Sequence, residues 1–411
     1  MLSASLTRAM AWFVPGRIEV FGKHTDYAGG RSILAASSQG VTATATDPAS
    51  NVFLREGEVR ASSTAAATRV TLKAGQACAL PVGHWGNYVQ ATLDRLTTNF
   101  GSLRPAVIEV DSALPLASGM SSSSALVSAV ALALADHNDL WTRDNWNQNI
   151  TGFLDLAAYL ATIENGLGYK GLPGARGVGT FGGSQDHTAM LNCRENELGL
   201  FQFSPTRSLD SFAMPIGYTF VVAVSGALAK KTGNAREQYN NASLQVSRLL
   251  HLWNEHAGSS HTTLARALAS EGTAAELASL SKCDLQLSQR LAAYDVEMNH
   301  AIPAAVAALQ HGNVTELGKA ATLSHRNAAK NLRNQIAETD HLQRLALDIG
   351  APAASAFGAG FGGSVWAMVP TDSADSFAKE WLSRYLKRFP CRRETASTLV
   401  TAPSGAAHRV S

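Results

Sequence analysis

Apolar positions along the chain fall first into short runs and later into helical spacing. Val14 to Gly22 alternates loosely, is rich in β-branched and aromatic residues, and breaks at Lys23-His24-Thr25-Asp26-Tyr27-Ala28-Gly29-Gly30. That pattern predicts a strand running into a polar turn. Val107 to Asp111 predicts another short strand, followed by the small-residue loop Leu114 to Met120 and the Ala/Leu/Val-rich run Ala125 to Ala135. The run reads as a buried helix with serines at its start. Tyr218 to Val224 is a continuous apolar run and a second strand candidate of the buried kind. From Ser243 to about Ile349 helix formers prevail and apolar residues recur three and four apart, as in Leu244, Val246, Leu249 and Leu250. The chain then returns to a glycine-rich turn, Gly358 to Gly363, and an apolar strand candidate, Val365 to Val369. No repeat at solenoid spacing is present.

At 411 residues the chain exceeds the roughly 250 to 300 residues at which one hydrophobic core stops growing, so two domains are expected. The polar, turn-forming stretch Pro205 to Pro215 gives the boundary, dividing the chain into residues 1–212 and 213–411. Hydrophobic residues make up 45% and charged residues 16%, which excludes a disordered chain. Lys and Arg number 34 against 32 Asp and Glu, and no block of like charge occurs, so neither nucleic acid nor membrane is expected as a partner. Cys78, Cys193, Cys283 and Cys391 lie far apart with no CxxC, which points to neither zinc nor a disulfide framework and suits a reducing compartment. The Ala125 to Ala135 run is too short to cross a bilayer, and the apolar stretch before Pro15 is too short for a signal peptide. Cytoplasmic location is the expectation.

The segment Pro115-Leu116-Ala117-Ser118-Gly119-Met120-Ser121-Ser122-Ser123-Ser124 is the most informative. Small side chains let backbone N–H groups approach a phosphate while the helix behind points its positive end there; an ordinary serine N-cap is the alternative. Gly358 to Gly363 has the spacing G-x-G-x-x-G, but it leads into a strand late in the chain, so a turn permitting close backbone approach, or a plain hairpin turn, replaces a dinucleotide site. No Walker sequence is present. In Gly182-Gly183-Ser184-Gln185-Asp186-His187 a carboxylate follows paired glycines, which suits either an acid aimed into a cleft or an Asx-type turn. Arg17, Lys23, His24 and Asp26 crowd one strand-to-turn region, as a binding edge or as a solvated turn with a salt bridge.

In this order the segments resemble the three signature motifs of the GHMP kinases. Pro15 to Gly30 resembles the galactokinase signature PGRVNLIGEHTDYNGG, Pro115 to Leu126 is similar to the ATP loop PLGAGLSSSAAL, and Gly358 to Gly363 is identical to GAGFGG. Trp85-Gly86-Asn87-Tyr88-Val89 resembles the family's WxNYV segment. The resemblance runs from Pro15 to about Val369. It implies a two-domain α+β fold, an N-terminal domain like the second domain of ribosomal protein S5 and a ferredoxin-like C-terminal domain, with the active site between them.

The activity implied is an ATP-dependent sugar 1-kinase, with galactose the default sugar. By position, Asp186 matches the aspartate of the family's GIMDQ and would take the proton of the anomeric hydroxyl, while Arg17 would pair with it and stabilise charge on the transferring phosphoryl group. Pro115, Ser118, Gly119, Met120, Ser121, Ser122, Ser123 and Ser124 would form the ATP loop. Ser123 and Glu164 match the family's Mg²⁺ ligands, and such hard oxygen donors suit that ion. His24, Asp26 and Gly183 match sugar-contacting positions. Three departures bear on the substrate. The glutamate of GEHTDY is Lys23; the tyrosine of SNVKHELASSEYNxRR becomes Arg236 when aligned without gaps from Ser225; and about ten extra residues, within the glycine-rich stretch Gly166 to Gly179, form a candidate mobile loop. A cation at Lys23, with Arg236, would suit a uronic acid such as galacturonate. A catalytically silent sugar and ATP sensor is the alternative of another class, disfavoured by the intact serine run and Asp186. A GHMP decarboxylase would leave the sugar-edge motif without purpose.

Overall fold

The computed structural model describes residues 11–77, 79–115, 118–227 and 234–410. The apolar stretch at the start of the chain, Cys78, and Leu116 and Ala117 of the serine loop therefore lie wholly or partly outside the described residues.

Twelve strands form two sheets among these residues. In chain order they are β1 (Ala11–Phe21), β2 (Arg31–Thr46), β3 (Glu58–Ser63), β4 (Thr68–Lys73), β5 (Ala106–Ser112), β6 (Glu197–Gln202), β7 (Arg207–Ala213), β8 (Tyr218–Val224), β9 (Ala353–Phe357), β10 (Ser364–Pro370), β11 (Ser397–Thr401) and β12 (His408–Val410). The first sheet runs β12-β1-β2-β5-β3-β4, with β6 pairing β2 and β7 pairing β6; the second runs β11-β8-β10-β9. The pairings are antiparallel except for β3 with β5.

The strand expected over Val14 to Gly22 is the greater part of β1, which ends at Phe21, and its register against β2 slips between Pro15 and Arg17 and again between Glu19 and Phe21. Such irregularities re-aim side chains. Here they bracket Arg17 and Glu19, two residues apart and so on one face, both of which line the cleft described below. Ile18 and Val20 on the other face are fully buried.

The Ala/Leu/Val run is the helix Ser122–His137, buried at every position from Ser124 to Ala135 and packed against β1 and β2. A helix apolar all round belongs in an interior, and this one holds the serine run rigidly at the cleft. The second sheet buries Phe220, Val222, Trp366 and Met368 in the core it shares with the first sheet. Its other face packs under Ala337–Ile349 and Ala374–Arg388, with Trp381 at the centre. The glycine-rich turn Gly358 to Gly363 joins the antiparallel pair β9 and β10, so it is a hairpin turn that also reaches the cleft.

The helical region begins at Asn234, earlier than the periodicity suggested, and includes two π-helical turns, Glu297–Ala301 and Ala328–Leu332. The expected mobile loop is tied down along its length. Arg95 Nη2 donates to the Leu167 carbonyl at 2.7 Å, Asn99 Nδ2 to that of Pro173 at 2.9 Å, and the Val178 N–H to that of Glu164 at 2.9 Å.

Candidate active site

A cleft of about 450 Å³ lies where the three glycine- and serine-rich segments meet. Arg17, His24 and Asp26 enter from β1 and its turn, Gly119 and Ser121 to Ser124 from the serine loop, Gly183 and Asp186 from the start of the Gln185–Asn192 helix, and Gly358 to Gly360 from the β9–β10 turn. One residue in each of the first two segments and in the last is forced into the left-handed region: His24 at φ 58°, Ser121 at 58° and Phe361 at 57°. Non-glycine residues there carry strain that the surrounding packing must hold.

At the floor Arg17 Nε donates to Asp186 Oδ1 at 2.6 Å, and the arginine is almost wholly buried. Its Nη1 donates to the Gly119 carbonyl, and its guanidinium sits 5.8 Å from the centre of the Phe357 ring. Ser121 Oγ donates to the other carboxylate oxygen of Asp186. Asp186 is thus fixed by two donors, from two motifs, in one orientation. Asp26 Oδ2 accepts the Gln185 N–H at 3.3 Å; its carboxyl is pushed up to about 6 by burial and then by the charge of Asp186. Gly183 is required beside it, because a Cβ there would stand 2.5 Å from Asp26 Oδ2.

His24 is braced on both ring nitrogens. Nε2 lies 3.0 Å from the Ala359 carbonyl and Nδ1 2.7 Å from the Tyr27 hydroxyl. Burial, then the buried Arg290 cation, pull the imidazole down to about 4, so at neutral pH it is uncharged, donating through Nε2 and accepting at Nδ1. Farther along the cleft Glu164 Oε1 accepts from Ser124 Oγ at 2.5 Å and faces His187 Nε2 at 3.5 Å. The opposite end is apolar, walled by Val41, Ala66, Trp85, Tyr88, Val110 and Leu126.

The structure places several of the residues singled out from sequence away from the cleft lining. Lys23 is buried but is not among the residues lining the cleft; its Nζ donates to Ser324 Oγ at 2.7 Å, and Ser324 in turn donates to Glu297 at 2.9 Å. Glu297 also takes the Gly22 N–H at 2.8 Å. The ammonium thus joins a hydrogen-bonded network with the helical region. Arg236 lines the neighbouring cavity with Asn87, Gln90, Asp94 and Arg176. Tyr239, three residues on, is the side chain that enters the cleft, its ring 5.3 Å from that of His24. The Tyr239-Asn240 pair matches the YN of the family segment, a signal that gapless counting passed over. Of the serine-loop residues, Pro115, Ser118 and Met120 do not line the cleft. Met120 is core, its carbonyl accepting the Arg17 N–H at 3.2 Å, and the Ser118 carbonyl accepts from Ser364. Glu19 and Gln185 also line the cleft and were not singled out from sequence.

Tyr239→Phe is expected to raise KM for the small-molecule substrate of the cleft several-fold, within the roughly 0.5 to 1.5 kcal/mol of one hydrogen bond, and Arg236→Ala to leave it near the parent value. Steady-state kinetics on the two variants checks this.

The family models match this chain as GHMP kinases N terminal domain over residues 87–175, GHMP kinases C terminal over 305–388, and Galactokinase galactose-binding signature over 4–46. Galactokinase of Thermococcus kodakarensis is 27% identical over 398 residues, covering 96% of this chain and 98% of the relative. Galactokinase of Haemophilus influenzae strain Rd is 25% identical, covering 91% and 89%. Among solved structures, Lactococcus lactis galactokinase complexed with galactose superposes with a TM-score of 0.79 at 21% identity, covering 98% of this chain and 96% of that one. Methanococcus jannaschii mevalonate kinase gives 0.58 at 15%, covering 97% and 99%. Both halves of the GHMP kinase fold are therefore present, with the cleft between their motifs. The chain is a galactokinase-like member of the GHMP kinase superfamily.

Proposed function

We propose that the protein phosphorylates galactose on its anomeric hydroxyl at the expense of ATP. The observation that carries this reading is the Arg17–Asp186 contact of 2.6 Å at the floor of a cleft that the sugar-edge, serine-loop and glycine-turn segments all reach. Asp186 would accept the proton of the attacking hydroxyl, and Arg17, touching both Asp186 and the serine loop, is placed to offset charge on the phosphoryl group in flight. Backbone N–H groups at the start of the Ser122–His137 helix would hold the phosphates, and the apolar end with Trp85 and Tyr88 would take the adenine ring. Asp26, His24, Gly183 and Tyr239 form the sugar edge. Galactose is the sugar named for the relatives that match over nearly the whole chain.

Ser123 and Glu164 both line the cleft. One hydroxyl and one carboxylate fit Mg²⁺, which keeps several waters and shares its coordination with substrate phosphates. Bound there with ATP, the ion would supply charge neutralisation between phosphate oxygens; no cluster of three or more metal-binding side chains exists among the described residues.

The uronic acid reading loses its support, since Lys23 and Arg236 both lie outside the cleft lining. Coupled ADP release across neutral hexoses, pentoses and uronic acids tests the assignment: galactose is expected to give the highest kcat/KM, and no sugar-dependent turnover would sink it. In the same assay Lys23→Met is expected to leave the galactose-to-galacturonate ratio unchanged. Its melting temperature should drop, because the buried Ser324 hydroxyl loses the ammonium that donates to it, a loss of about 1 to 3 kcal/mol.

A further inference from the structure

The helix that carries Asp186 opens at Gln185, whose side chain is held from two sides. Ser32 Oγ donates to Gln185 Oε1 at 2.6 Å, and Gln185 Nε2 donates to Glu19 Oε2 at 2.5 Å. Ser32 is itself within 3.2 Å of Thr25 Oγ1, so the chain of contacts begins in the sugar-edge turn. Glu19 is 2% exposed and shares the cleft-facing side of β1 with Arg17. Its second oxygen, Oε1, is buried and accepts no hydrogen bond.

A buried carboxyl with one oxygen unmatched is costly and has no part in the mechanism above. The charged groups around it are Arg17 on its own strand, Lys23 just beyond the strand, and Asp186 on the helix opposite. Polar neighbours from the other elements are the amide of Gln185 and the hydroxyl of Tyr27. Burial pushes the carboxyl up to about 7, against the pull of Lys23 and Arg17.

The two residues also depart together from the motifs the chain resembles, where Asn stands at the position of Glu19 in PGRVNLIG and Met at that of Gln185 in GIMDQ. A methionine could not donate to Glu19, and without Gln185 both carboxylate oxygens of Glu19 would be unmatched. Residues 166 positions apart in sequence are thus fitted to one another at the foot of the catalytic pair.

We propose that Glu19 is a positioning residue of the phosphoryl-transfer site, acting through Gln185 on the placement of Asp186 and through its charge on Arg17. The proposal rests on the sugar-kinase reading. When Glu19 carries its proton, the positive field of Arg17 acts undiminished on the transferring phosphoryl group. When it ionises, that field is partly offset, so kcat falls as pH rises through neutrality. Glu19→Gln is isosteric, keeps an acceptor for Gln185 and cannot ionise.

The test uses the full-length protein with Mg²⁺-ATP and galactose, measuring kcat and KM across the neutral pH range for wild type, Glu19→Gln, Glu19→Asn, Gln185→Met and the double variant Glu19→Asn/Gln185→Met. Glu19→Gln is expected to lose the neutral inflection in kcat with KM for ATP unchanged. Each of Glu19→Asn and Gln185→Met should lower kcat on the order of tenfold, and the double variant should recover most of that loss, as coupled neighbours do. A purely structural pair would shift melting temperature without moving the pH profile of the folded enzyme. The proposal is overturned if wild type and Glu19→Gln share one pH profile, or if the double variant is as slow as the product of the singles. A wild type that turns over no sugar ends the kinase reading and this proposal with it; an active wild type with unmoved Glu19 variants ends this proposal alone.

Discussion

Asp186→Asn is expected to abolish sugar phosphorylation while ATP still binds. The carboxylate is held by Arg17 Nε on one oxygen and by Ser121 on the other. An amide in its place keeps the shape, loses the proton acceptor, and must turn an NH₂ group toward one of those two donors. Losing general-base assistance alone costs on the order of 10² to 10⁴ in rate, and the misplaced amide adds to it. Coupled ADP release with galactose gives the turnover, and calorimetric titration with Mg²⁺-ATP reports binding. Parent-level turnover by this variant would remove Asp186 from the mechanism.

Arg17→Lys is the second large effect, although charge is conserved. The guanidinium meets Asp186 through Nε and the Gly119 carbonyl through Nη1 while lying against Phe357. An ammonium is a compact point charge that cannot repeat this forked geometry. Loss of one preorganised electrostatic contact in a transition state costs roughly 10² to 10³ in kcat. The stranded Gly119 carbonyl would add about 1 to 3 kcal/mol of destabilisation. The expected signature is a collapse of kcat with a smaller change in KM for galactose, together with a lower melting temperature. Parent kcat in the Arg17→Lys variant would show that Arg17 only supports the loop.

The three loops were legible in the sequence because their chemistry demands unusual composition. Four serines before an apolar helix, paired glycines before an aspartate and a glycine-rich hairpin turn are each rare, and their order is rarer. The strands at Tyr218–Val224 and Ser364–Pro370 were legible for a simpler reason, since short apolar runs bounded by turns can do little else. What was not legible depends on distant partners. Nothing next to Lys23 in sequence says that Ser324 and Glu297 will draw its ammonium out of the cleft. Glu19 looks like an ordinary strand residue until Gln185 is brought to it. Tyr239 was missed for want of a three-residue allowance in the count from Ser225.

The pairing of β12 with β1 places His408 to Val410 along the outer edge of the strand that presents Arg17. During ribosomal synthesis β1 is made long before β12, so the edge of Ala11 to Phe13 stays open until His408 to Val410 follow. An uncovered strand edge is a template for pairing with other chains, so the nascent protein carries this liability until β12 is made. The long sequence separation also slows closure of the sheet, since distant contacts come at a high entropic cost.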